Sequence, residues 1–356
     1  MVPENKIFWI SKLKLSRRSG KMKIKPKYVP ILKWKQGEQG ALKELEDNIK
    51  DNIIPLIEIT PNVKENKFLP SLSAWLNRPF YFDVLPECYA QDEEFYFKLL
   101  AQTNSEFVIP VLSLNEDDID TITKAETYSN NGFALRITTL DADDIENKLD
   151  ELLNIFSPNN IDLILDLKTI DNSNPLEKSL VLKSLLSDIP KLNEFRNIIL
   201  STSAFPASVS QAEKGELSQF DRADWYFWKK YSPSLNNKYN INLVFSDYTV
   251  NIPENIEFII GMSPVFKIRY TTNDHFIILK GETIKKGGLE KEKISYLCQK
   301  LINSPLFEGE DFSWGDKFIF NGAQQNLDSY GNLATWVKVA TNHHITLVVN
   351  QISNLV

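Results

Sequence analysis

Eight short apolar runs recur along residues 27–250, separated by stretches long and periodic enough to hold one or two helices each. They read YVPIL (28–32), IIPLIEI (53–59), FYFDVL (80–85), FVIPVLSL (107–114), FALRIT (133–138), IDLILDLK (161–168), NIILSTS (197–203) and INLVFSDY (241–248). Parallel strands need a crossover of a dozen or more residues, which these spacings supply. Eight β–α units in series therefore predict an α/β fold, a closed (β/α)8 TIM-like barrel over residues 27–255. Most of the runs carry one charged residue where a buried strand should tolerate none. Charges late in such strands face the carboxyl end, where barrel enzymes work.

At 356 residues the chain leaves roughly 100 beyond a barrel of about 250. Residues 256–356 read as a C-terminal α+β extension packed on the barrel. VFKIRY (265–270) and HFIILKG (275–281) flank TTND and predict a hairpin with Asn-Asp in its turn. An amphipathic helix is expected over 290–302. Two polar, aromatic segments follow (312–323 and 330–337), and HITLVVNQI (344–352) reads as a last strand. FDRADWYFWKKY (220–231) lies in the longest connection. Packing on the sheet is favoured there over a lid, because helix aromatics are most often core.

Hydrophobic residues make up 42% of the chain and charged residues 24%, which is ordinary for a globular protein. No apolar run approaches the roughly 18 residues that span a bilayer, so no membrane partner is expected. Cys88 and Cys298 lie far apart and form no metal or redox spacing, which points to a reducing cytoplasm. The net charge of −7 hides an asymmetry. Nine Lys/Arg against Glu4 fall in residues 1–27, leaving 31 basic and 46 acidic residues in the rest. Residues 1–26 are expected to be a basic arm, loose as chain termini often are, and Met22 offers a second start just before the first strand. IFWI within it is too short for the apolar core of a secretory signal.

Side chains alternate along a strand, so the side that carries each charge can be followed. Glu58, Asp83, Arg136, Asp166, Lys168 and Asp247 sit late in their strands, and Lys33, Lys35 and Glu38 follow the first. Together they form a candidate cluster at the barrel mouth. Buried singly, each would cost several kcal/mol, so pairing of Arg136 or Lys33 with the acids is expected. Three uses stay open. The carboxylates could hold a divalent cation such as Mg²⁺, or act as acid and base beside Lys33 or Lys168, or form a neutralised structural plug.

No phosphate loop, dinucleotide-binding turn or nucleophile elbow is present. The three histidines, His275, His343 and His344, all lie outside the proposed barrel, which weakens zinc chemistry. No metal ligand set is assigned and no cofactor is expected. On a strand, His343 and His344 would point to opposite sides, so a structural capping role is favoured over joint chelation.

YVPILKWKQGE (28–38), PLIEI (55–59), RYTTNDHFIILKG (269–281), FSWGD (312–316) and TNHHITLVV (341–349) resemble the Beta protein family over residues 28 to about 352. That family is named for the middle gene of the gop–beta–cII cassette of satellite bacteriophages. The resemblance implies a cytoplasmic component of antiviral defence, in which Gop is toxic and Beta restrains it in the manner of a toxin–antitoxin pair. It carries no established active site. Lys33, Trp34, Lys35, Gly37, Glu38, Glu58, Arg269, His275, Trp314, Asp316, His343 and His344 are the matching positions. Those beyond the barrel (Arg269, His275, Trp314, Asp316, His343, His344) form a second candidate site, expected to join the mouth as the other face of one site.

Three functions compete. The first is a protein that restrains a toxic partner or senses a phage trigger, helped by an acidic body that suits a basic protein partner. The second is a barrel enzyme acting on a nucleotide, phosphate ester or other small molecule. The third is a nucleic-acid binder, against which the net negative charge counts.

Overall fold

The computed structural model describes residues 24–88, 92, 94–138, 144–255, 264–284 and 290–355. The basic arm falls almost wholly outside them. Eight parallel strands close into a barrel in chain order. They are β1 (Tyr28–Lys33), β2 (Leu56–Ile59), β3 (Phe80–Val84), β4 (Val108–Ser113), β5 (Phe133–Thr138), β6 (Ile161–Thr169), β7 (Asn197–Ser203) and β9 (Leu243–Asp247). Between them run α1 (Gln36–Lys43), α2 (Asp47–Lys50), α3 (Glu65–Ser71), α4 (Phe95–Leu100), α5 (Ile119–Glu126), α6 (Ile145–Leu153), α7 (Pro175–Asp188) and α8 (Ala223–Tyr239). The predicted (β/α)8 architecture is what the chain forms.

Strand alternation sorts the core into two layers. Val29, Ile31, Leu56, Tyr81, Ile109, Val111, Ala134, Ile164, Ile199, Val244 and Tyr248 fill the interior. Their neighbours, such as Leu32, Ile57, Phe82, Leu135, Leu165, Leu200 and Phe245, face the helices. On α8, Trp225 and Trp228 stack at 5.4 Å and both pack on Phe245, so the aromatic segment is core.

The extension contains β10 (Val265–Thr271), β11 (His275–Thr283), α9 (Lys291–Ile302), α10 (Trp314–Ala323) and α11 (Leu333–Ser353). The hairpin β10–β11 forms as expected, and the helix over 290–302 is α9. Its sheet takes a third strand, β8 (Ser218–Asp221), from the β7–α8 connection. The expected strand at 344–352 is instead the second half of α11, and 312–323 is mostly the helix α10. The cause lies at the start of α11. Asn332 accepts from the Thr335 backbone and Thr335 returns the bond, a capping box that commits the chain to a helix of 21 residues.

Ile345, Val348, Val349 and Ile352 of α11 belong to the barrel's outer core, and the helix lies against α1 and β1. That is the position of the eighth barrel helix. Residues between β9 and α11 are thus inserted into the last β–α unit. Among the described residues no helix is long and apolar enough to cross a membrane.

Candidate functional site at the barrel mouth

Register places the charged residues at one level. Lys33 pairs with Glu58 and Glu58 with Asp83, while Asp166 pairs with Ser201 and Ser201 with Ser246. Each shares its strand face with an interior residue, so the side chains converge on the axis at the carboxyl end. Arg136 is the hub. It donates to Glu58 Oε1 (2.9 Å), Asp83 Oδ2, Asp166 Oδ2 (2.7 Å) and the Tyr248 hydroxyl (2.6 Å). Tyr248 also donates to Asp166 Oδ2 (2.6 Å), and Lys168 lies 2.8 Å from the same oxygen.

The environments of the carboxyls differ. Burial alone would raise Asp166, but Arg136, Lys168 and the Tyr248 hydroxyl outweigh it and hold its carboxyl below the usual range. At Asp83 burial prevails over Arg136, with Glu58 adding repulsion, and the carboxyl is pushed up to about 6. Asp83 keeps 15% of its side chain exposed and Lys168 41%, so these two form the rim. Lys168 adopts a left-handed backbone (φ 58°) at a register shift between Asp166 and Thr169. A non-glycine residue held there stores strain of the kind that clusters at functional sites. Deeper in, Glu58 Oε2 and the Ser201 and Ser246 hydroxyls are buried with no hydrogen-bond partner among the described residues.

The Arg136 guanidinium sits where an ion shared by Glu58, Asp83 and Asp166 would have to be. No cluster of three or more His, Cys, Asp or Glu suited to a metal occurs among the described residues.

Other expected members lie elsewhere. Asp247 is not at the mouth; it shares the outer face of β9 with Phe245. There it accepts from Tyr28 (2.5 Å) and bonds His344 Nε2 (2.9 Å). Lys33 reaches inward over the rim, but its ammonium is held by the Pro253 and Glu254 carbonyls, and Lys35 donates to Asn255 Oδ1 (3.3 Å). Both lysines therefore tether the loop that follows β9. Glu38, on the first turn of α1, accepts from Asn251 (3.2 Å), whose Oδ1 accepts from Arg269 (3.3 Å). This one chain joins the mouth's edge to the extension.

The remaining extension residues do not reach the mouth. Trp314 stacks on Phe318 and receives the Lys338 ammonium at 3.9 Å. His275 meets Asp221 at 3.3 Å near the surface, across the β11–β8 pair. His343 and His344 are fully buried on α11, with bonding patterns that fix their protons. His343 faces only acceptors, Asp316 Oδ2 (2.8 Å) and the Thr271 carbonyl (2.7 Å), so both ring nitrogens carry hydrogen. Burial opposes that charge, but Asp316 and the Thr271 carbonyl raise the imidazole above its ordinary value. His344 bonds the Thr271 hydroxyl through Nδ1 (2.9 Å) and Asp247 through Nε2, a pattern that suits the neutral ring. Burial lowers it, beyond what Asp247 restores. Both rings make internal hydrogen bonds from a helix, where capping of a strand was expected.

The model of the family described as Beta protein matches residues 28–350, which covers the barrel, the inserted extension and most of α11. The chain belongs to the Beta protein family. No curated protein and no solved structure matches it. Tyr248 and Asn251, which the sequence reading did not single out, lie within the matched Beta-protein region and complete its two polar networks. Alternation from Val244 and Ser246 was the signal available for Tyr248; Asn251 had none.

Proposed function

We propose that this Beta-family protein is the restraining or sensing member of a phage-associated defence cassette, an antitoxin-like protein that binds a toxic protein partner or a phage-derived trigger. Family membership across barrel and extension carries the reading, through the cassette role that the resemblance implies. The mouth is compatible with it. Its acids are paired to Arg136, Tyr248 and Lys168, giving a rigid floor whose charge is largely compensated and suited to recognition. The acidic body would attract a basic partner. The test is co-expression with the toxic product of the neighbouring gene. Colony formation should be rescued, and the two proteins should co-purify; growth arrest in the presence of soluble, folded Beta protein would remove the proposal.

One observation favours the enzyme reading as an alternative. Asp83 is a rim carboxyl pushed up to about 6 beside the strained Lys168, at the end of the barrel where catalytic groups sit. Such a carboxyl could exchange a proton with a nucleotide, phosphate ester or other small molecule near neutral pH. Replacing Glu58 and Asp166 together by Ala separates the readings. An enzyme of this kind loses function while folded, whereas a structural plug loses stability.

A further inference from the structure

Three cations gather where the barrel's edge meets the hairpin, and none of them has a salt-bridged carboxylate among the described residues. Lys267 and Arg269 share one side of β10, while Phe266, Ile268 and Tyr270 on the other side are buried in the extension's own core. Arg269 is anchored rather than neutralised. Its Nη1 donates to the Val250 carbonyl (3.2 Å) and to Asn251, and its guanidinium lies 5.3 Å from the Phe205 ring. The Lys267 side chain makes no hydrogen bond or ion pair among the described residues. Lys35 is the N-cap of α1, and among the described residues its hydrogen-bond partner is the neutral Asn255. The Glu38 carboxylate faces both Lys35 and Arg269.

Among the described residues, three positive groups facing one carboxylate are out of place on a chain with a net charge of −7. Burial lowers Lys267 to about 8, with repulsion from Arg269 adding to it, and burial lowers Arg269 as well. Half-buried cations without a counter-ion are costly, and an anion bound among them would relieve that cost. The first-turn N–H groups of α1 add to the same field. Phe205 follows β7, and Val250 and Asn251 follow β9. The loops after the seventh and eighth strands are where barrels often seat a phosphate.

We propose that the cluster of Lys35, Lys267 and Arg269 binds a small phosphate-bearing ligand through its phosphate. A dianion matches the two-charge excess, and a guanidinium with donors to spare suits tetrahedral oxygens better than a lone ammonium would. The site stands whether or not the protein restrains a toxic partner.

The test is calorimetric titration of the full chain with inorganic phosphate and with adenosine 5′-monophosphate, at low salt near pH 8. Saturable binding is expected for both. Lys267→Gln should weaken it by about tenfold and Arg269→Gln by at least as much. Glu38→Gln should tighten it severalfold by removing the opposing charge. Circular dichroism and melting would confirm folding, and Lys267→Gln, which breaks no bond, keeps the test valid if Arg269→Gln fails to fold. Tighter binding of the nucleotide assigns a nucleotide ligand; equal binding assigns free or terminal phosphate. No saturable binding of either probe, or unchanged binding by folded Lys267→Gln, overturns the proposal.

Discussion

Replacing Arg136 by Leu tests whether the mouth is one electrostatic unit. The guanidinium bonds Glu58, Asp83 and Asp166 together, and no other described cation contacts Glu58 or Asp83. Removing one partner of a buried ion pair costs about 3–5 kcal/mol, because the other charge is left uncompensated. Two features set where in that range the loss falls. Asp166 retains Lys168 and Tyr248, and Asp83 is partly exposed, so Glu58, 1% exposed, bears most of it. A loss of about 3 kcal/mol near pH 8 is expected. The loss should also depend on pH. Without Arg136 the folded-state carboxyl pKa values rise above their unfolded values, so the folded variant binds more protons. A raised carboxyl contributes stability below its unfolded value and loses it as pH climbs through the folded one. The deficit of the variant should therefore shrink toward pH 5 and grow toward pH 8. Urea unfolding followed by tryptophan fluorescence at both pH values measures it. A deficit under about 1 kcal/mol at pH 8, the range of exposed pairs, would refute the network as a stabilising unit, and a pH-independent deficit would refute its electrostatic origin.

Glu38→Gln should stabilise the protein above pH 7 and have little effect below pH 5. Burial pushes the carboxyl up to about 7, so stability drains as pH rises from the ordinary carboxyl range through that value; a shift of this size corresponds to about 3 kcal/mol, read as a pH-dependent melting gain. The two buried histidines should respond oppositely. The contribution of His343, raised in the fold, is complete below its unfolded pKa and is lost as pH rises through the folded one, so His343→Gln should cost more at pH 6 than at pH 9. His344 is lowered, so as pH falls below the unfolded value the unfolded chain takes up a proton that the folded one resists, stability drains, and His344→Gln should blunt acid destabilisation there. Gly315→Ala should cost about 1–3 kcal/mol in chemical unfolding, because its Cβ would stand 2.4 Å from the Val339 carbonyl oxygen where α10 crosses α11.

The barrel was legible because parallel strands buried on both faces read as apolar runs, and each expected run contains its observed strand or matches it within a residue or two. The eighth helix was not legible, for the same physical reason. From Val339 to Val349 every residue of α11 is buried, so no polar face marks a 3.6-residue period, and Ile345, Thr346, Val348 and Val349 imitate a strand. Asp247 failed differently. Alternation gives which residues share a side but not which side faces inward, and β9 turns Val244, Ser246 and Tyr248 to the axis. Glu58, Asp83, Arg136, Asp166 and Lys168 did meet, because the other strands carry their charges on the inward side. The Glu38–Asn251–Arg269 chain was half visible as two separate motifs. Its middle member is a loop asparagine, and no pattern marks such a residue.

The place of α11 in the chain makes the barrel depend on the extension. Its first half supplies Trp336 and Val339 to the extension's core, while its second half supplies Ile345, Val348, Val349 and Ile352 to the barrel. His343 and His344 mark the junction, one bonded to Asp316 of α10 and the other to Asp247 of β9, with Thr271 of β10 bonding both. Arg269 lies two residues from Thr271 on the same side of that strand, so a ligand bound at Arg269 would act on the element that ties the two bodies together. A chain cut after residue 255 should therefore not yield a smaller stable barrel. Losing four large apolar side chains at about 1.5–3 kcal/mol each removes roughly 6–12 kcal/mol, comparable to the whole stability of an ordinary domain. It also leaves Asp247 buried against Tyr28 without its histidine. Circular dichroism and urea titration of residues 22–255 would decide the matter: a cooperative transition with the full chain's midpoint would show that the eighth helix is dispensable and the two bodies independent.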